Sequence, residues 1–280
     1  MNHSRSPLLS LLVVIGVFVL ALIAFRVVAA SALRSWERQV SQRYFIEYLA
    51  VAAITLFALL STRKSLVHYG ISFRPLTYHL KAVATGFIPV FAITVGLFYL
   101  EEREWTGAVL LSALVALALI GTAWLFRNVP TRDTARVTLA AFLTTRLVAT
   151  PAFTDSVGTL LSEFVYWFVV VALSEELLFR GYIQSRLNQA FGRPYRFFGV
   201  SWGWGVLITS VLFGLWHVVN LVNPLLGTFE LSWPWGLWTF FAGLLFGFIR
   251  EKTDSIAAPT ILHGMLNFPP GAMVSLLLSA

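Results

Sequence analysis

The sequence predicts an all-α fold: a polytopic membrane helix bundle of about eight or nine transmembrane helices, at roughly 20 apolar residues per crossing. Three observations lead there. The 280 residues are 58% hydrophobic and only 12% charged, with a mean hydropathy of +0.79, well outside the range of soluble globular chains. Apolar runs of spanning length recur from end to end. The net charge of +7 is gathered in the short connectors between those runs, the pattern of a chain oriented by its basic loops. Nucleic acid is therefore not an expected partner; the lipid bilayer is. Cysteine is absent, which excludes disulfide frameworks and thiolate chemistry.

In chain order, the runs begin around Pro7, Tyr44, Ala82, Gly107, Val137, Val157, Phe197, Trp235 and Ile256. The first has a signal-like start, but its apolar part exceeds the roughly 7 to 15 residues of a signal core, so a retained helix is expected. The connectors with Arg63, Lys64, Arg74 and Lys81, with Arg127, Arg132 and Arg136, with Arg186, Arg193 and Arg196, and with Arg250 and Lys252 alternate with acidic or neutral ones. That bias predicts a cell (inner) membrane protein with a cytoplasmic amino terminus, an outside carboxyl terminus and a site opening to the cytoplasm. Arg34, Arg38 and Arg43 dissent, because they would face outward.

The longest connector, about 62–79, is too short for a separate domain. Two regions are still distinguishable. Residues 1–150 form an N-terminal set of helices with few polar groups at membrane depth, Arg26 and Arg146 excepted. Residues 151–280 form the core that carries chemistry: between Phe164 and Phe268 every long apolar segment but one contains a Glu, His or Asn. The exception, after Trp233, has Gly243 and Gly247 four apart, which suits close helix packing, and Trp233, Trp235 and Trp238 suit an interfacial belt.

Ionisable residues at membrane depth are rare and usually face a bundle interior or a water-filled cavity. Glu176 and Arg180 are i and i+4, in the favourable order for an ion pair on one helix face. Glu175, about 100° round the helix, is left to project elsewhere. His217 shares a face with Phe213 at i−4. His263 and Asn267 are again i and i+4, so an imidazole and a carboxamide can enter one cavity. Glu175 lies 19 residues before Pro194 and His217 lies 23 after it, so in a helical hairpin the two fall within about 6 Å in depth. His263 lies nearer its own connector, and only tilt or a break near Pro259 would bring it level.

A carboxylate and an imidazole across a cavity can hold and deprotonate a water. A second His with an Asn can donate hydrogen bonds to the oxyanion formed when water attacks an amide. Acyl transfer to water fits these parts. The same residues could instead bind zinc, with Glu175, His217 and His263 as ligands; no HExxH or inverse motif occurs, and no cofactor is expected. Two other readings use the same groups differently: an ion pair tying helices together beside satisfied core histidines, and a proton-coupled transporter. The transporter would favour paired broken helices in related repeats, and no such symmetry is found.

Glu175-Glu176-x-x-x-Arg180, Phe213-x-x-x-His217 and His263-x-x-x-Asn267 resemble, in order and spacing, the three motifs of the CPBP (Abi) family of intramembrane proteases, which includes the type II CAAX prenyl endopeptidases. The resemblance covers about residues 157–270. It implies an intramembrane endopeptidase acting on a membrane-tethered protein or peptide. Glu175 and His217 would activate water, Glu176 and Arg180 would organise the site, and His263 with Asn267 would form the oxyanion side. It implies a glutamate-type mechanism without metal. Members keeping the fold as immunity proteins or scaffolds are the non-catalytic alternative.

Overall fold

A computed structural model describes residues 6–41, 43–72, 75–128, 161–220, 222–223 and 227–267. The described chain is mostly helical. Helix α1 (Pro7–Ala30) starts on Ser6, whose Oγ accepts from the Leu9 amide at 3.1 Å, with Pro7 in the first turn where its missing N–H costs nothing. A single extended residue, Ser31, separates it from α2 (Ala32–Ser41), which lies within the first connector. Next come α3 (Ile46–Ser61), a 3₁₀ turn (Leu66–Tyr69), α4 (Leu76–Tyr99) and α5 (Trp105–Asn128).

A continuous helical run over 161–191, here α6, carries the first motif. It alternates π-helical sections, Val165–Ala172 and Leu177–Gln184, with α-helical ones, Leu173–Glu176 and Ser185–Phe191. The run expected to begin around Phe197 starts instead with a small antiparallel hairpin, β1 (Tyr195–Phe197) and β2 (Val200–Trp202). Phe198 and Gly199 both have positive φ, the conformation such a tight turn requires, so α7 begins only at Trp204 and ends at Val218. A second short pair, β3 (Val222–Asn223) and β4 (Thr228–Phe229), leads to α8 (Trp233–Thr253). Asp254 takes a left-handed conformation that stops α8, and α9 (Ala257–Asn267) follows.

Three of these helices, Pro7–Ala30, Leu76–Thr94 and Trp105–Asn128, are long and apolar enough to cross a membrane, and a fourth if α2 and α3 are taken as one bent span. The expected span from Val137, and Arg146 within it, lie outside the described residues.

Helix α6 lies at the centre, packed by α3, α7 and α9, while α8 packs on α7 and α5, and α4 on α5 and α9. Aromatic side chains fill the join between the two regions: Phe18 and Phe25 of α1, Phe179 of α6 and Trp216 of α7 meet with ring centroids 4.9 to 6.3 Å apart. That cluster fixes the α7 turn bearing His217 against α1.

Candidate active site

Four polar residues of α6 stand at successive steps of four: Glu176, Arg180, Gln184 and Asn188. In an α-helix a step of four overshoots a full turn by about 40°. The wider π-turns undershoot it, so a run that mixes both keeps this series on one face. That face meets α8 in constant register. Arg180 donates to the Gly243 carbonyl at 3.2 Å, Gln184 to the Gly247 carbonyl at 3.1 Å, and Asn188 to the Glu251 carboxylate, each across 63 residues. The two helices are therefore parallel. Gly243 and Gly247, expected to serve packing, also offer their carbonyl oxygens. An added Cβ on Gly243 would sit 3.0 Å from the Ser210 backbone, and one on Gly247 would sit 3.2 Å from Gln184 Oε1, so glycine is what admits both neighbours.

At the top of this series the motif residues converge. Glu176 and Arg180, both fully buried, form an ion pair at 2.9 Å. The same Glu176 Oε1 accepts from His263 Nδ1 at 2.9 Å. Arg180 also stacks over the Phe213 ring, 4.5 Å from its centroid. His263 lies flat on Phe246, ring centroids 5.0 Å apart. Glu175 Oε2, buried and without a hydrogen-bond partner, is 3.8 Å from His263 Nε2. Both carboxylates of the first motif thus reach His263, one at each ring nitrogen.

His263 is level with the first motif because the chain breaks at Asp254, not at Pro259. After the break, the Ile256 amide donates to the Gly70 carbonyl at 2.9 Å, and Pro259 sits harmlessly in the first turn of α9.

His217 stands apart from this cluster. Its Nδ1 is 2.8 Å from the Phe213 carbonyl, which can only accept, so Nδ1 carries the proton and the lone pair of a neutral ring is on Nε2. The Phe213 ring lies 4.7 Å from the His217 ring and 5.8 Å from the His263 ring. Among the described residues no hydrogen bond joins Glu175 to His217. Asn267 is the last residue of α9, half-buried, one turn beyond His263. Among the described residues no three carboxylate or imidazole side chains are grouped so as to hold one metal ion.

Residues outside the motifs complete the setting. Arg26, an isolated charge in α1, donates to the carbonyls of Asn220, at 2.6 Å, and Val222, holding the chain that leaves the His217 turn. Its position at membrane depth was a sequence signal, but backbone acceptors have none. The spacing of Gln184 and Asn188 behind Arg180 was readable and is what ties the site to α8. A shallow groove of about 300 Å³ between α7 and α8, lined by Gly214, Val218, Gly236 and Phe240, is apolar and carries none of the motif side chains.

Gly264 packs beneath the cluster: a Cβ there would lie 2.5 Å from Phe168 Cδ1. Gly264→Ala is expected to destabilise by about 1–3 kcal/mol through overpacking, read as a lower melting temperature of the purified protein in detergent.

Fold and site first define a class: an integral membrane helix bundle with a buried centre of carboxylates, guanidinium and imidazole in its second half. Residues 157–269 match the family model for type II CAAX prenyl endopeptidase Rce1-like, and this segment supplies every motif residue. The resemblance read from the three motifs is thus shown over that segment, and the family is one of proteases. No curated protein and no solved structure matches the chain.

Proposed function

We propose that the protein is an intramembrane endopeptidase that hydrolyses a peptide bond of a membrane-tethered protein or peptide, using water activated by Glu175 and His217. The observation that carries this reading is the unpartnered Glu175 Oε2 beside His263 in a fully buried ionic cluster. A buried carboxylate oxygen without a donor is costly, and a water that it holds supplies the missing hydrogen bond. Ion pairing engages Glu176 through Oε1, with Arg180 and His263 as donors, although its Oε2 is also without a donor; Glu175 has only the longer approach to His263 Nε2.

The chemistry follows from the hydrogen-bond directions. Glu175 accepts a proton from water as the water oxygen attacks the peptide carbonyl carbon. His217 offers its Nε2 lone pair to the same water or to its second hydrogen. His263 donates Nδ1–H to Glu176 and turns Nε2 toward the Glu175 side of the site, where the oxyanion would form. Asn267 adds a carboxamide donor on the same face of α9. The proton taken by Glu175 then passes to the leaving amine.

The test is cleavage of lipid-anchored fluorogenic peptides by purified protein in nanodiscs, with and without a chelator. His217→Ala is expected to lower the rate by about 10²–10⁴-fold, and chelation to leave the wild-type rate unchanged. Loss of activity on chelation with recovery on adding zinc would replace this mechanism with a metal one. Proton-coupled flux in liposomes without cleavage would replace the endopeptidase with a transporter.

A further inference from the structure

The exposed circumference of α2 is divided between two chemistries. Leu33, Trp36 and Val40, at i, i+3 and i+7, are 49%, 57% and 67% exposed and form one stripe. Ser35, Arg38 and Gln39 are exposed beside it. The remaining side is committed to the protein. Glu37 is buried and its Oε1 accepts the Phe45 and Ile46 amides, the otherwise orphaned donors at the start of α3. Arg34 lies over the Tyr44 ring at 4.1 Å, and Arg43 pairs with Glu163. The rotation of α2 about its own axis is therefore fixed, and the apolar stripe cannot be turned inward.

What meets that stripe is indicated by its neighbours. Leu20, Ile23 and Val27 of α1, all exposed, belong to the lipid-facing side of a spanning helix, and α2 begins two residues after α1 ends. The apolar exposed surface thus runs from the span onto α2. The chain bends by 115° between α2 and α3, so α2 runs crosswise to α3. A short helix at the end of a span, crosswise to the helix that follows it, with Trp on its apolar side and Arg on its polar side, has the arrangement of an interfacial helix.

We propose that α2 lies in the plane of the bilayer interface, with Leu33, Trp36 and Val40 in the acyl boundary and Arg38 among the headgroups. Its partner is the lipid surface. This assignment does not depend on the proteolytic reading and is tested without an activity assay.

The chain has no cysteine, so single-cysteine variants label uniquely. Leu33→Cys, Val40→Cys, Ser35→Cys and Gln39→Cys replace exposed side chains and preserve the Glu37 contacts. Each is spin-labelled in the full-length protein in phosphatidylcholine and phosphatidylglycerol vesicles, and collisions with oxygen and with a water-soluble nickel chelate are compared. Positions 33 and 40 are expected to favour oxygen and positions 35 and 39 the nickel chelate, a reversal of sign around one turn. Equal nickel access at all four would overturn the proposal. So would protection of 33 and 40 from both agents that grows with protein density, because the stripe would then face a second copy of the chain.

Discussion

Purified Glu175→Gln is expected to fold like the wild type and to lose cleavage of membrane-tethered peptide by about 10²–10⁴-fold. The substitution is nearly isosteric and keeps an acceptor oxygen, so packing around α6 is preserved. What it removes is the capacity to accept a proton. Glu175 is suited to that role because its buried Oε2 accepts no hydrogen bond and only His263 Nε2 approaches it, at 3.8 Å, whereas Glu176, whose Oε2 is also unpartnered, is tied through Oε1 to Arg180 and His263. The measurement is single-turnover cleavage, with melting temperature as the control for folding. Wild-type rates from Glu175→Gln would remove the base assigned here and direct attention to His217 alone.

The largest effect on stability is expected at Arg180. Arg180→Ala leaves Glu176 with no guanidinium in a site with no solvent exposure, and breaking a buried pair from one side costs about 3–5 kcal/mol. It also frees the Gly243 carbonyl and removes the cation from the Phe213 face. Loss of folded protein on extraction into detergent is the expected outcome. The diagnostic comparison is the double variant Glu176→Gln with Arg180→Met, which removes both charges. Its melting temperature is expected to lie above that of Arg180→Ala, because no isolated charge remains. A double variant less stable than the single would mean that the Gly243 contact, not the ion pair, holds the helices.

The parts of the site legible in the sequence are those confined to one helix. Glu176 and Arg180 pair as their spacing says, because both belong to a continuous helical run. The helical character of the chain was equally plain from its apolar runs. Three features were not readable. The meeting of His263 with both glutamates depends on a break at Asp254, a residue whose left-handed conformation no spacing announces. The late start of α7 depends on the turn at Phe198 and Gly199. The acceptors for Arg26, Arg180 and Gln184 are carbonyl oxygens, which every residue has and which therefore leave no mark in a pattern of side chains. The connector arginines that oppose the charge bias are also partly accounted for: Arg43 is paired with Glu163 and Arg34 lies over Tyr44, leaving Arg38 exposed.

The register between α6 and α8 has a mechanical consequence. A protease inside a membrane must part somewhere to admit a peptide. Along this seam it would have to release the Gly243 and Gly247 carbonyls and the Glu251 carboxylate together, with no water in the hydrocarbon to replace their donors. The α6–α8 seam is therefore the part of the bundle expected to stay closed, whatever motion accompanies substrate entry.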